Sequence, residues 1–314
     1  MILTIMVVAA LVAAAWVVAV WLLAYGSTHP WRMRVPDEPG EEDGSPENVA
    51  FLTSDGLKLS GWLFMRDGAQ AALILCHGHQ FNRVQMLDVY RGLRNGPFSF
   101  LMFDFRRAGR SEGSISTIGA DEVKDLEAAV DFLRSRADTY SLPIGVFGYS
   151  MGGAVAIMAA AGDSRIRAVA TQGAYASLDR AIADRGTFFL GILGAMLARP
   201  SALIGRLWLR HNPKSVAPLA VIGSIAPRPV MICHGEWDPF ISLQDARDLY
   251  DAAHPPKDLM ILPRSWHIGV DRSERTAYYA ALRRFFERAL CPERQPDGAL
   301  RSEPQDRAAE NGGS

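Results

Sequence analysis

Cysteine, net charge and metal-ligand clusters are all scarce in this sequence. Its 314 residues include 3 cysteines, Cys76, Cys233 and Cys291, at no framework spacing and without a C-x-x-C pair, so no disulfide scaffold is encoded. The redox compartment is left open. No group of His, Cys and Asp has ligand spacing, and neither a metal nor another cofactor is expected. The 33 basic side chains nearly balance the 34 acidic ones and are scattered. Without a basic stripe interleaved with aromatics, nucleic acid is not an expected partner. There is no internal repeat, and a hydrophobic share of 49% excludes a disordered or fibrous chain.

Charge is also missing from Met1 to Tyr25, and the run Ile2 to Ala24 is almost wholly apolar, long enough as a helix to cross ~30 Å of hydrocarbon. A cleaved signal peptide expects a basic start, a shorter apolar core and a small-x-small site, so an uncleaved single-pass anchor over 1–25 is the expectation. Trp16, Trp21, Tyr25 and Trp31 suit the interfaces. Arg32 and Arg34 follow the span and nothing basic precedes it, which predicts a membrane-bound chain with its main domain on the cytoplasmic side.

Residues 26–48 read as a linker, solvated where Pro36 to Asn48 is rich in Pro, Gly and acid. The main domain is expected over 49–290. It opens with a hairpin, Val49 to Leu52 and Leu57 to Met65, turning at Ser54-Asp55-Gly56. The apolar runs Ala71 to Cys76, Phe98 to Phe103, Ile144 to Phe147, Ile166 to Thr171, Val230 to Cys233 and Leu259 to Leu262 predict buried parallel strands. Helical patterns lie between them, such as Val123, Leu126, Val130 and Leu133. Alternation of this kind implies an α/β fold, a mostly parallel sheet with helices on both faces. The polar tail over 291–314 is expected to be disordered.

Informative residues cluster where predicted strands end. Gly148-Tyr149-Ser150-Met151-Gly152 joins a strand to an Ala-rich helix, as in a nucleophile elbow. Ser150 would sit at a helix N-terminus, where unpaired N–H groups favour negative charge. Upstream are His77-Gly78-His79 and the segment Asp104 to Ser111. Downstream are His234-Gly235-Glu236-Trp237-Asp238 and, after the last strand, Trp266-His267. The order Ser150, Asp238, His267 is nucleophile, acid, base. Of the other histidines, His77 and His234 are expected to hold loops, and Asp104 with Arg106, Arg107 and Arg110 to form an ion-paired loop brace.

In these four features, in this order from Val49 to Leu290, the chain resembles the α/β-hydrolase superfamily, and most of all its membrane-anchored serine esterases. The resemblance implies an α/β-hydrolase fold with a short helical cap, preceded by one transmembrane helix. It also implies acyl transfer to Ser150, with an oxyanion held by the backbone N–H of Met151 and, by family likeness, of His79. An insertion at 173–226 is the expected cap, with two short helices broken at Pro200 and an apolar stretch from Phe188 to Leu209. If that stretch lines a pocket, the partner is a small, lipophilic acyl ester or thioester. Two rival readings stay open: a serine peptidase or amidase of the same fold, and a non-catalytic scaffold tethered to the membrane.

Overall fold

A computed structural model describes residues 1–209, 211–267 and 269–291, so the tail assigned to disorder lies, from Pro292 onward, outside the described residues. The chain begins as one long helix, α1 (Ile2–Thr28). A hairpin follows, β1 (Glu47–Leu52) and β2 (Lys58–Phe64), then β3 (Ala71–Cys76), α2 (Leu87–Leu93), β4 (Phe98–Phe103), α3 (Glu122–Ser135), β5 (Ile144–Tyr149), α4 (Met151–Gly162) and β6 (Ile166–Gln172). After a long helical excursion, α5 (Leu178–Leu209), come α6 (Pro218–Val221), β7 (Val230–Gly235), α7 (Leu243–Ala252), β8 (Lys257–Leu262) and α8 (Arg275–Leu290).

The strands form one sheet in the order β1-β2-β4-β3-β5-β6-β7-β8. Among the described residues, only β1 with β2 and β2 with β4 pair antiparallel; the neighbours from β4 across to β8 pair parallel. Strand side chains alternate between two apolar layers because the strand period is two. On β3, Ala72, Ile74 and Cys76 enter the layer under α3 and α4, and Ala71, Leu73 and Leu75 the layer under α2 and α8. Covered on both faces, β3 is apolar throughout. The edge strand β8 is half solvated, so it begins at Lys257, ahead of the apolar run that marks it in the sequence.

Three expectations need correction. The segment read as a solvated linker is pinned at several points: Asp43 is buried, its carboxylate accepts from Arg91 at 2.7 Å and its carbonyl accepts from the Tyr90 hydroxyl at 3.0 Å. Arg32 donates to the carbonyls of Gly109, Ser111 and Gly113. An acid-rich stretch looks solvated when its basic partners lie far along the chain. The cap helix does not break at Pro200, which lies inside α5; the break is at Gly191, with φ 56° and ψ −133°. A proline removes one helical hydrogen bond, whereas a residue with no Cβ takes up a positive φ far more readily. Finally, Asp104 is not braced by Arg106 or Arg107. Its cation partner is Arg83, at 2.8 Å with both side chains buried, while Arg106 pairs with Asp125 and Asp55.

Candidate active site

The turn between β5 and α4 holds Ser150 at φ 50° and ψ −115°. Backbone crowding leaves room for nothing larger than glycine on either side. A Cβ at Gly152 would lie 2.6 Å from the carbonyl oxygen of His77 and closer still to that of Cys76, and one at Gly148 would overlap the backbone of Gly152. Ser150 donates its N–H to the Gln172 carbonyl at 2.9 Å. Its side chain therefore stands at the N-terminal end of α4, beyond the carboxyl edge of the sheet, where ligands of open α/β sheets bind.

The loop after β7 carries Asp238. One carboxylate oxygen accepts from the N–H groups of Phe240 and Ile241, both at 2.9 Å, and the other lies 2.6 Å from His267 Nδ1. With that nitrogen donating to Asp238, Nε2 is left bare, and it accepts from the Ser150 hydroxyl at 3.0 Å. His267 comes from the loop after β8. That loop is fixed to its neighbour by the Trp237 N–H on the Ser265 carbonyl, and by the Ser265 hydroxyl on Glu274 at 2.6 Å. Ser150, Asp238 and His267 are thus brought into one relay from three loops.

The chain has 7 histidines, and His267 is the one bonded to Ser150. His77 Nε2 accepts from the Phe105 N–H and Nδ1 donates to the Gly78 carbonyl; His234 donates from Nε2 to the Ile241 carbonyl, steadying the loop of Asp238. Both therefore hold loops. Burial lowers the pKa of each below the usual imidazole value. Met151 and His79 line the same cavity as Ser150, and among the described residues neither backbone N–H has a protein acceptor. A Cβ on Gly78 would stand 3.6 Å from that of Ser150, so the HG loop lies directly against the elbow.

The His79 ring is pushed down to about 3, first by burial, then by the positive Arg185 and by His77. It stays neutral in the fold, whereas the unfolded ring takes up a proton below 6.5. Stability from this group is complete above that value and declines as pH falls through it, at ~1.4 kcal/mol per pH unit. Between pH 7 and pH 5 a His79→Gln variant should lose about 2 kcal/mol less stability than the wild type, read from urea midpoints in detergent. Equal losses in the two proteins would mean that the folded ring is protonated.

Sequence reasoning missed several residues around the site. Gly173, at the end of β6, has φ +62°, and a Cβ there would stand 3.2 Å from His267 Nδ1 and 3.4 Å from the Asp238 carboxylate. A glycine directly after a strand was its one available signal. Arg185, on α5, lies over the Phe240 ring and lines the cavity. The cavity measures about 420 Å³, and its walls are mostly apolar, with Ile118, Tyr175, Leu178, Ile182 and Phe240 among them.

A parallel sheet, an elbow serine and a histidine-carboxylate pair at its carboxyl edge define the α/β-hydrolase superfamily, and this chain is a member of it. The Hydrolase_4 family, described as serine aminopeptidase S33, matches residues 67–221, a stretch that holds the HG pair and the elbow but ends before Asp238 and His267. YfhR of Escherichia coli K12 is 29% identical over 236 residues, which is 73% of this chain and 76% of YfhR. The thiohydrolase aneE of Aspergillus aculeatus is 37% identical over 136 residues, 41% of either chain. Among solved structures, an esterase of Pyrococcus furiosus superposes with a TM-score of 0.71 at 25% identity, covering 84% of this chain and 98% of its own. The chain is a hydrolase of this fold.

Proposed function

We propose that the chain is a membrane-anchored serine hydrolase that cleaves carboxylic esters or thioesters of lipophilic acyl groups. The observation that carries this reading is the unbroken relay from Asp238 through His267 to the Ser150 hydroxyl, at 2.6 and 3.0 Å. As the Ser150 oxygen attacks the acyl carbon, its proton passes to His267 Nε2, and Asp238 stabilises the resulting imidazolium. The oxyanion takes hydrogen bonds from the N–H groups of Met151 and His79. His267 returns the proton to the departing alkoxide or thiolate, and the bond to the leaving group breaks. Water then gives a proton to Nε2 and attacks the acyl-enzyme, and Ser150 recovers that proton as the acid leaves.

The apolar walls of the cavity favour an acyl chain as the bound group. The names of two similar proteins, an esterase and a thiohydrolase, favour oxygen and sulfur leaving groups. A second reading, a serine peptidase or amidase, draws on the description of the matching family. Purified protein assayed against acyl esters, thioesters and aminoacyl amides separates the two: turnover confined to the amides would remove the first.

Residues 2–18 of α1 are exposed to their surroundings over ~25 Å, close to the hydrocarbon thickness. This supports an anchor, and Arg32 and Arg34 after it support a cytoplasmic catalytic domain. The crowded position of Gly173 yields a test of the relay. Gly173→Ala should lower kcat about 10²-fold by displacing the His267–Asp238 pair, with KM little changed. An unaltered kcat would mean that the pair is not held by that contact.

A further inference from the structure

Helix α1 does more than point away from the domain. Its stripe Val20, Ala24 and Thr28, one residue every four, is buried, and the Ser201 hydroxyl on α5, which donates to the Leu197 carbonyl of its own helix at 2.7 Å, stands 3.2 Å from the Val20 carbonyl. The adjacent stripe, Leu22, Leu23, Gly26 and Ser27, lines the same cavity as Ser150 and His267. Helix α5, which packs against α1, adds Leu178 and Ile182 to the same lining. Just before this stripe, the helix is exposed and apolar all round.

We infer that α1 is a substrate-binding element: its last two turns form one wall of the acyl cavity, and the seam between α1 and α5 admits the chain of a membrane-resident amphiphile. The inference rests on the serine-hydrolase reading and goes beyond it by naming the substrate class and the residues that gauge its chain. Residues 2–18 are exposed throughout, and the wall residues Leu22 and Leu23 one turn further on are still 56% and 42% exposed, so the cavity opens beside the end of the apolar run, at the level where hydrocarbon gives way to water. A lipid chain can enter there without crossing water, which an apolar chain strongly disfavours. Burial of the chain between these walls then brings its ester carbonyl to Ser150.

Gly26 supplies the test, since it lines the cavity and a Cβ built on it meets no atom within 4 Å. Full-length protein in detergent micelles is assayed with p-nitrophenyl esters from acetyl to palmitoyl. Gly26→Phe should lower kcat/KM for the long esters by about 30-fold while leaving the acetyl ester within about threefold, as expected when a few methylenes lose their burial. Leu23→Ala, which widens the cavity, should shift the optimum to longer chains, and Val17→Phe, on the exposed part of α1, should change nothing. A chain-length profile that Gly26→Phe leaves unchanged, or lowers equally for every ester, overturns the inference while the serine-hydrolase reading stands. Absence of turnover by the wild type on these esters and on the corresponding acyl thioesters overturns both.

Discussion

Ser150→Ala lowers kcat on acyl esters by about 10⁴-fold or more, with KM near that of the wild type. The hydroxyl bonds to the substrate only as the reaction proceeds, so its loss is felt in the transition state and hardly in ground-state binding. His267→Ala should cost about as much, and the double variant little more than either alone, because the two act as one unit. Asp238→Asn should fall in the range of about 10³- to 10⁴-fold. The amide oxygen would be held by the N–H groups of Phe240 and Ile241, so the NH2 would face His267 Nδ1 in place of the oxygen now at 2.6 Å, and the ring would carry its proton on Nε2, toward Ser150. A residual rate above that in water would remain from the donors of Met151 and His79. Labelling by a fluorophosphonate probe, present in the wild type and absent in Ser150→Ala, is the direct measurement. An unlabelled wild type would favour the scaffold reading.

The second large effect is on stability. Arg83→Met should cost about 3–5 kcal/mol, because it strands a buried carboxylate. Arg83 and Asp104 are 1% and 0% exposed, and Asp104 accepts from Arg83 through its backbone N–H, Nε and Nη2, and from the Arg110 N–H at 2.9 Å. Removing the guanidinium takes two of these four donors and the compensating charge. The double variant Arg83→Met/Asp104→Asn should recover part of the loss, since a neutral amide is far less costly to bury. Activity should fall with stability: Arg83 follows the His77-Gly78-His79 loop, and His77 accepts from the Phe105 N–H next to Asp104. Denaturant midpoints for the two single variants and the double variant check this. A double variant no more stable than Arg83→Met would show that the charge of Asp104 is not the source of the loss.

Several features were legible because their causes are local. The apolar runs of β3 and β4 coincide with the strands residue for residue, since a strand covered on both faces admits few polar side chains. The elbow was legible because Gly148 and Gly152 are set by backbone packing within one turn. Boundaries slipped where that constraint weakens, as at the solvated start of β8 and at the last turn of α1, which runs on to Thr28. The break in α5 was misplaced because proline is the louder signal, while Gly191 is the residue that takes up the non-helical conformation.

By itself, then, the sequence determined the elements, their order, the turn that presents Ser150, and which loops could hold an acid and a base. Those properties follow from hydrophobic period, glycine placement and strand ends, each set by near neighbours in the chain. Tertiary structure alone decided the pairing of Arg83 with Asp104, the crowding of Gly173 against His267, the pinning of Asp43 and the entry of α1 into the cavity wall. In each case the partner is remote along the chain or comes from another element of the fold. Such pairings leave no periodic trace, because only closure of the sheet and docking of the helices on it bring the two groups within reach.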